Sequence, residues 1–381
     1  MHIKHISWLK CVDCGGKISF KAGQKSAERL ENGVLGCQDC NRLYPVLDGI
    51  VVMFTRSAGH SLSPKERDYI KQFNYPLSEF GCDNKTANDL DLKQIAVQEN
   101  WEYQWEQICP FTESDLKGQG LLGSDAFKNF IPVEPSQING ATILVGGAGR
   151  GREAYHLAGM GAKTIVAVEL GREIHAIKNL LPQNSQTELL LLRADLVALP
   201  LQADLVDIAI CDHALQHVHD HKKGFSEMTR VTRDSGKVAI CVYSWEGNFI
   251  MTHMVEPLKF FLHKIPLTVL YFLSLIPSLV LQFIIMFFYV PIARVSPRLL
   301  KKIPLHEHMI FWSQNKFKTT WMSIFDLFHA PISYHFRREE VSRLAESNGM
   351  SIECIRHTNS VLWSLIAVKN RPEDSIKTGT S

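Results

Sequence analysis

Apolar and polar positions alternate over residues 142–244 in a way that predicts buried strands separated by helices. Apolar runs of strand length recur at residues 142–146, 164–168, 187–193, 205–211 and 237–243. Helix-compatible segments at residues 152–160 and about 222–232 lie between them. Strands that alternate with helices form a parallel sheet covered on both faces. The pattern therefore predicts a doubly wound α/β fold.

A glycine-rich turn follows the first of these strands directly, with Gly147, Gly149 and Gly151 at alternate positions. Glycines let the backbone turn tightly and approach a ligand, and the next helix presents free N–H groups to it. Glu169 ends the second strand, 22 positions after Gly147, which is close to the spacing at which an acid accepts ribose hydroxyls. A glycine triplet alone also makes a purely structural turn. With the strands and the acid in place, it predicts a nucleotide-containing ligand.

Residues 265–293 carry no charged side chain over 29 positions. As one straight helix they would be about 44 Å long, whereas the hydrocarbon core of a bilayer is about 30 Å thick. Pro277 lies near the middle and favours a turn there, and basic residues flank both ends. We expect a re-entrant or interfacial helical hairpin, with membrane contact through residues 257–302. The alternatives are a buried helical cap or dimer interface, and a true membrane span.

The composition narrows the function classes. With 381 residues, a 45% hydrophobic fraction and a formal net charge of +2, the chain has room for two or three domains and lacks the charge of a typical nucleic-acid binder. Residues 1–11 and those soon after them lack the apolar core expected of a secretory signal. We therefore expect a cytoplasmic protein at the inner face of a membrane, with its nine cysteines reduced and acting as metal ligands or buried thiols.

Two CxxC pairs stand near the start of the chain. Cys11 and Cys14 form the first pair, and Cys37 and Cys40 form the second. Two such pairs bring four sulfurs to one tetrahedral zinc ion, which would be structural because no coordination position stays open. The alternative is four free structural cysteines.

The motifs resemble two known groups of proteins. CxxC…CxxC followed by YPVLDGI resembles the zinc-ribbon modules that accompany methyltransferases. The series VGGAGRGRE, VAVELG, RADLVALPL, DIAICDHALQHV and MTRVTRDSGKVAICVYS resembles the class I S-adenosylmethionine-dependent methyltransferases. That resemblance implies a seven-stranded, mostly parallel sheet closed by an antiparallel hairpin.

The resemblance also implies a cofactor site for S-adenosylmethionine. Gly147, Gly149 and Gly151 would lie at its methionine end, Glu169 at the ribose, Asp195 and Leu196 at the adenine, and Asp212 near the end of the fourth strand. One position departs from the family: Val145 stands where an acid usually precedes the first glycine. The ammonium of the methionine would then be left to backbone carbonyls or to Asp212.

Candidate catalytic residues are His213, His217 and Tyr243, which stand near predicted strand ends. A general base is needed only if the nucleophile must lose a proton. Trp101 and Trp105 fall on one face of a predicted helix at i and i+4; they would either dock the connector on the main domain or form a lid over the cofactor.

Together these features predict the domain organisation and function. We expect a zinc-ribbon module (1–55), a helical connector or lid (56–140), a methyltransferase core (141–244), an apolar helical insertion (245–330), the closing part of the core (331–369) and a disordered tail (370–381). The predicted acceptor is a small or lipid-linked amphiphile. The alternatives are an RNA base methyltransferase and a non-catalytic cofactor-binding scaffold.

Overall fold

The computed structural model describes residues 1–55, 64–73, 75–80, 89–105, 111–182 and 184–371. Residues 372–381 of the predicted tail, and part of the predicted connector, lie outside the described residues. Within the described part, eleven strands form one sheet. They are β1 (Ile18–Lys25), β2 (Leu30–Cys37), β3 (Leu43–Leu47), β4 (Ile50–Val52), β5 (Thr142–Gly146), β6 (Thr164–Glu169), β7 (Glu188–Arg193), β8 (Val206–Asp212), β9 (Thr232–Tyr243), β10 (Met350–Thr358) and β11 (Leu362–Lys369).

Helices cover both faces of this sheet and build the insertion. They are α1 (Pro64–Lys71), α2 (Asp89–Tyr103), α3 (Glu113–Leu116), α4 (Ser124–Phe130), α5 (Pro135–Ile138), α6 (Arg152–Gly159), α7 (Ile177–Leu180), α8 (His221–Val231), α9 (Glu256–Leu262), α10 (Leu267–Val295), α11 (Pro297–Leu300), α12 (His306–Trp312), α13 (Phe317–His329) and α14 (Arg338–Glu346). The predicted alternation of strands and helices is confirmed.

The strand order is β1-β2-β3-β4-β7-β6-β5-β8-β9-β11-β10. In this order the strands from β4 to β9 pair in parallel. Strand β11 then pairs antiparallel with β9, and β10 pairs antiparallel with β11. Chain connections leave β5 in one direction toward β6 and β7, while β8 and β9 lie on its other side. Ligands of open α/β sheets bind beyond the carboxyl ends of the strands at such a switch point, which here lies between β5 and β8.

Alternate residues of the central strands enter different cores. Leu144 of β5 packs in one buried apolar cluster, whereas Ile143 and Val145 pack in a second one. Each central strand is therefore buried on both faces, as the short uninterrupted apolar runs predict. This double burial fixes where the turn after β5 emerges.

The predicted seven-stranded sheet is wrong for the sheet as a whole, which has eleven strands in the described part of the chain. The difference arises at β4, which pairs in parallel with β7 through Ile50 with Leu191 and Val51 with Leu192. The first four strands therefore extend the same sheet. No local pattern in residues 50–52 indicates a partner about 140 positions away.

The predicted hairpin turn at Pro277 is also wrong. Residues Leu267–Val295 form one helix with a turn at Ser274, after which a helical segment begins at Leu275. Pro277 lies in the first turn of that segment, and the Ser278 N–H bonds to the Ser274 carbonyl at 3.2 Å. A missing N–H is tolerated near the start of a helical segment. The chain reverses only after Val295, and α12 and α13 return along α10. The rings of Tyr271 and Trp321 stack there with centroids 4.2 Å apart.

The parallel β4–β7 contact makes the first strands part of the main folding unit. We expect Val51→Ala to lower the free energy of unfolding by about 2 kcal/mol, because Val51 is fully buried and its loss leaves a cavity. Urea unfolding followed by circular dichroism and tryptophan fluorescence should show one transition displaced as a whole. Val280→Ala, at an exposed valine, is the matched control and should shift it by less than about 0.5 kcal/mol. An early transition confined to part of the signal would contradict this.

Candidate active site

The glycine turn lies at the carboxyl end of β5 and leaves an open cradle. Gly147 has φ +69°, and a Cβ there would lie 2.2 Å from the Cβ of Ala214. Gly149 has φ +48°, and a Cβ there would meet no atom within 4 Å. Gly149 therefore faces ligand space, and a side chain at that position would project into it. A Cβ on Gly151 would lie 2.8 Å from Cγ1 of Ile177, and Gly151 does not line the cavity that Gly147 and Gly149 border. Gly147 and Gly151 are therefore closely packed, and Gly149 is open.

Glu169 ties this turn to the neighbouring strand. Its Oε2 accepts a hydrogen bond from the Gly149 N–H at 2.7 Å, and its Oε1 accepts one from the Leu170 N–H at 2.7 Å. Burial raises the pKa of Glu169, and the backbone N–H donors oppose that rise. The Gly171 N–H also donates to Oε1, at 3.3 Å. A carboxylate oxygen accepts two hydrogen bonds, so Oε2, which has one backbone donor, keeps capacity for a hydroxyl group. Glu169 lies where a ribose acceptor is predicted.

Asp195 and Leu196 follow β7 at the same edge of the sheet. The Asp195 Oδ1 accepts a hydrogen bond from the Val197 N–H at 3.0 Å and so caps the short turn Leu196–Ala198. Both side chains line the same cavity as Gly149 and Glu169. The structure therefore brings the predicted ribose and adenine residues together.

Asp212 ends β8 and is bonded to an arginine. The Arg152 guanidinium contacts both Asp212 and Glu153, and the Asp212 Oδ1 lies 2.5 Å from Nδ1 of His213. Burial alone would raise the pKa of Asp212, but Arg152 and His213 hold it below its ordinary value. Val145 is buried in β5. Asp212 is therefore already charge-paired, and its predicted contact with a methionine ammonium would require Arg152 to share it.

The three candidate catalytic residues line one cavity. His213 adopts a left-handed backbone conformation with φ +56°. The His217 ring lies 5.7 Å from the Tyr243 ring, and the His213 ring lies 6.1 Å from it. Burial raises the pKa of Tyr243, so its hydroxyl stays protonated. The sequence prediction placed these three residues near strand ends, and they do meet there.

This cavity has a volume of about 970 Å³. Its cofactor end is formed by the glycine turn, Glu169, Asp195 and Asp212. Its other end is formed by the insertion, through Leu281, His308, Trp312, Met322 and Asp326. Trp101 and Trp105 stack with ring centroids 6.2 Å apart, and both line the wall. The volume is near the upper end for small-molecule sites, which leaves room for a cofactor and an apolar acceptor.

Sequence reasoning missed Arg152, His308 and Asp326. Arg152 directly follows the third glycine. The sequence therefore indicates that Arg152 lies near the turn, but it does not indicate that Arg152 pairs with Asp212. His308 and Asp326 lie on α12 and α13, which no motif marks. They reach the cavity only because the insertion folds back over the sheet.

The four predicted zinc ligands also meet. The sulfurs of Cys11 and Cys40 lie 3.6 Å apart, those of Cys14 and Cys37 lie 3.5 Å apart, and all four lie within 4.8 Å of one another. Zn–S bonds of about 2.3 Å in a tetrahedron place sulfurs about 3.8 Å apart. The Gly16 N–H and the Asp39 N–H each lie 3.4 Å from a cysteine sulfur. This cluster has the donor set and the spacing of a closed four-thiolate site.

Comparison with known proteins agrees with this geometry. Residues 144–240 match a protein family described as a methyltransferase domain. The core of this chain is a class I S-adenosylmethionine-dependent methyltransferase domain. An uncharacterized methyltransferase of Mycobacteroides abscessus is 33% identical over 117 residues, which are 31% of this chain and 45% of that protein. The chain thus matches less than half of that relative's length.

Two solved structures are similar to this chain. One is the complex between the Haloferax volcanii Trm112 methyltransferase activator and a putative methyltransferase, with 11% identity, a TM-score of 0.43, and coverage of 72% of this chain and 98% of that one. The other is the magnesium protoporphyrin IX methyltransferase of Synechocystis with bound S-adenosylhomocysteine, with 11% identity, a TM-score of 0.40, and coverage of 73% and 100%. Both TM-scores are below 0.5, so the identification relies on the family match and the site geometry.

Neutralising Glu169, the predicted ribose acceptor, should lower the affinity for the cofactor. We expect Glu169→Gln to weaken S-adenosylmethionine binding about 30-fold, because hydrogen bonds to a charged acceptor contribute about 2 kcal/mol. Isothermal titration calorimetry measures this directly. Glu353→Gln, at an exposed carboxylate on β10, is the control and should bind like the wild type. Equal affinity of the Glu169 variant would remove this residue from the site.

Proposed function

We propose that the protein transfers a methyl group from S-adenosylmethionine to a small or lipid-linked amphiphile at the cytoplasmic face of a membrane. The observation that carries this proposal is the continuity of one cavity. It runs from the glycine turn to Phe249 and Ile250, which line it and are 68% and 56% exposed. An apolar acceptor could therefore pass from an apolar environment to the methyl donor without crossing water.

The insertion supplies that apolar environment. Among the described residues, every large hydrophobic side chain that is exposed lies between Trp245 and Leu299, apart from Tyr334. In the most apolar 18-residue window of α10 only 22% of the residues are buried, so α10 is not an ordinary core helix. Exposed apolar surface of this extent is typical of a protein or membrane interaction site.

Basic side chains favour a membrane over a protein partner at this surface. Lys264 precedes α10, and Arg294, Arg298, Lys301 and Lys302 lie at its end or just after it, all of them exposed. Lysine and arginine next to an apolar helix attract the anionic lipids of the cytoplasmic leaflet. We therefore propose that residues 257–302 contact the membrane and that α10 lies in the membrane–water interface.

The mechanism follows from the placement of the site residues. S-adenosylmethionine supplies an electrophilic methyl group on a sulfonium, which an acceptor atom attacks in line. Glu169 and Asp195 would hold the ribose and adenine, and the open side of Gly149 lets the ligand approach the backbone. Trp101, Trp105 and the insertion exclude water from the acceptor lobe, which favours a collinear arrangement of the reacting atoms. The candidates for proton acceptance are His213, His217 and Tyr243.

We also propose that the four-cysteine cluster binds one structural zinc ion. Cys11 and Cys14 precede β1, Cys37 ends β2, and Cys40 lies in the connection from β2 to β3. The sheet of these strands continues into β7 through β4. The Tyr44 hydroxyl lies 3.0 Å from the Cys11 sulfur, which leaves that side of the cluster closed to a substrate. The ion would stabilise the first strands and, through them, the edge of the central sheet.

A labelling experiment separates this function from its alternatives. The full-length protein is incubated with S-adenosylmethionine labelled at the methyl group, and with either a total lipid extract in vesicles or total RNA. We expect label in the organic phase and none in RNA. At a cofactor concentration well below saturation, Glu169→Gln should lower the labelling about 30-fold, in line with its weaker cofactor binding. Label in RNA would favour the RNA base methyltransferase. Cofactor binding without label in any fraction would favour the non-catalytic scaffold.

Membrane contact predicts a specific loss of vesicle binding. Phe283 and Phe287 are 54% and 66% exposed, so Phe283→Gln with Phe287→Gln should lower partitioning into vesicles of anionic phospholipid about 30-fold, equivalent to about 2 kcal/mol of lost apolar burial. Flotation on a sucrose gradient measures the bound fraction. Tyr334→Gln, at the exposed aromatic outside the insertion, is the matched control. Unchanged flotation of the double variant would contradict the membrane contact.

The zinc proposal predicts about one ion per chain by mass spectrometry of the purified protein. Cys37→Ser should lose the ion and lower the melting temperature, because the thiolate is a ligand and its strand joins the sheet. Cys354→Ser replaces a half-buried free thiol on β10 and should keep both the ion and the melting temperature. A zinc-free wild type of normal stability would refute the site.

A further inference from the structure

The acceptor lobe of the cavity contains buried polar atoms that no described residue satisfies. They are Nε2 of His217, Oδ1 of Asp326 and Nδ1 of His308, and all three side chains line the cavity. A buried polar atom without a partner destabilises the folded protein, because it has lost its hydrogen bonds to water. Such atoms in an otherwise apolar cavity are retained where a ligand satisfies them.

The hydrogen bond of His217 fixes which of its nitrogens can accept. Its Nδ1 lies 2.7 Å from the carbonyl oxygen of Ile332, and a carbonyl only accepts. The proton must therefore be on Nδ1, and Nε2 carries the lone pair. Burial lowers the pKa of His217 to about 3, so the free imidazole is neutral. Nε2 then requires a hydrogen-bond donor on the ligand.

Asp326 presents the opposite requirement. Among the described residues, the basic nitrogen within 4 Å of its Oδ1 is Nε2 of His329, at 3.9 Å. That nitrogen donates to Oε1 of Gln104 at 2.5 Å. Burial raises the pKa of Asp326 well above its ordinary value, although its interaction with the Gln104 side chain opposes the rise, and this favours the protonated form of the carboxyl group. A protonated carboxyl group donates one hydrogen bond and accepts others. It therefore matches a ligand oxygen.

The two side chains border the same part of the cavity. The Trp101 ring lies 5.3 Å from the His217 ring and 5.1 Å from the ring of His329. His329 is one helical turn after Asp326 on α13. The Tyr243 ring lies 5.7 Å from the His217 ring, and the carboxyl group of Asp326 is one of the groups that raise the pKa of Tyr243. A ligand atom that fits between an acceptor and a donor must be able to do both.

We propose that His217 and Asp326 together hold a neutral hydroxyl group of the acceptor, and that this oxygen is the atom methylated. This inference rests on the proposed function and names its acceptor chemistry. Asp326 donates to the oxygen, and the hydroxyl donates to Nε2 of His217. The oxygen forms a bond to the methyl carbon, the carbon–sulfur bond breaks with its electron pair left on sulfur, and the hydroxyl proton passes to Nε2. The positive charge of the sulfonium is replaced by that of the imidazolium.

A cationic amine fits this lobe poorly. Asp212 and Glu153 are both bonded to Arg152, and Glu169 lies at the ribose end. Glu173 and Asp195 also line the cavity, at the same end as Glu169. In the acceptor lobe, burial favours the neutral form of the Asp326 carboxyl group. Burying an ammonium ion without a charged partner costs far more than burying a hydroxyl group that is hydrogen-bonded. The lobe therefore selects an apolar molecule with a hydroxyl group, such as a phenol with an alkyl chain.

The test uses 4-butylphenol and butylbenzene, which differ only in the hydroxyl group. Their affinities for the full-length protein saturated with S-adenosylhomocysteine are compared by calorimetry. We expect the phenol to bind at least 10-fold more tightly, because a site built to hydrogen-bond a hydroxyl group rejects the analogue that lacks it. Equal affinities would overturn the inference.

Variants identify the residues responsible. Asp326→Leu and His217→Phe should each reduce the preference for the phenol to about 2-fold or less. Asp326→Asn should keep it at 5-fold or more, because the amide retains a donor and an acceptor. Ser323→Ala is the matched control, since Ser323 also lines the cavity but its hydroxyl bonds to the Thr319 carbonyl. A phenol preference lost in Asp326→Asn as well would show that a carboxylate is required and would refute the donor role.

Failure of the inference can be distinguished from failure of the proposed function. If S-adenosylmethionine binds and Glu169→Gln weakens it, the methyltransferase site stands whatever the phenol result. If the Asp326→Leu variant does not fold, the selectivity of the wild type and of Asp326→Asn still decides the inference. Transfer of labelled methyl to an alkylphenol by the wild type would support it further.

Discussion

The hydrogen bond between the Gly149 N–H and the Glu169 carboxylate determines the position of the whole cofactor cradle. It ties the turn after β5 to the end of β6 over 2.7 Å, and both strands are buried on their two faces. The turn therefore cannot move without disturbing two apolar cores. The shape of the cavity at its cofactor end depends on this contact, because it fixes the position of Gly149 next to Glu169 and Asp195, which line the same cavity.

Local patterns were sufficient for the central sheet and the cofactor end of the site. The strands from β5 to β9, the glycine turn, Glu169 and Asp195 all follow from apolar periodicity and from motifs whose residues are close in sequence. The four cysteines likewise meet as their spacing predicts. What these features share is that each depends on contacts between neighbouring elements, for which the sequence carries a direct signal.

The remaining features depend on contacts that are distant in sequence. The parallel pairing of β4 with β7 and the return of α12 and α13 along α10 leave no local pattern, so the eleven-stranded sheet and the true position of the reversal were not predicted. Pro277 was overinterpreted, because proline ends a helix only where its missing N–H is needed. Asp326 looks like any polar residue of an amphipathic helix until the fold places its carboxyl group in an apolar cavity.

The parallel β4–β7 contact also has a consequence for synthesis of the chain. Strand β4 is made early, but its partner β7 follows roughly 140 residues later, which at about 5–20 residues per second is roughly 7–30 s of translation. During that time the edge of the first four strands has unpaired N–H and carbonyl groups, as any open sheet edge does. A metal ion bound to the neighbouring four-cysteine cluster would stabilise the first four strands until β7 has been synthesised. Metal supply would then affect the yield of folded protein.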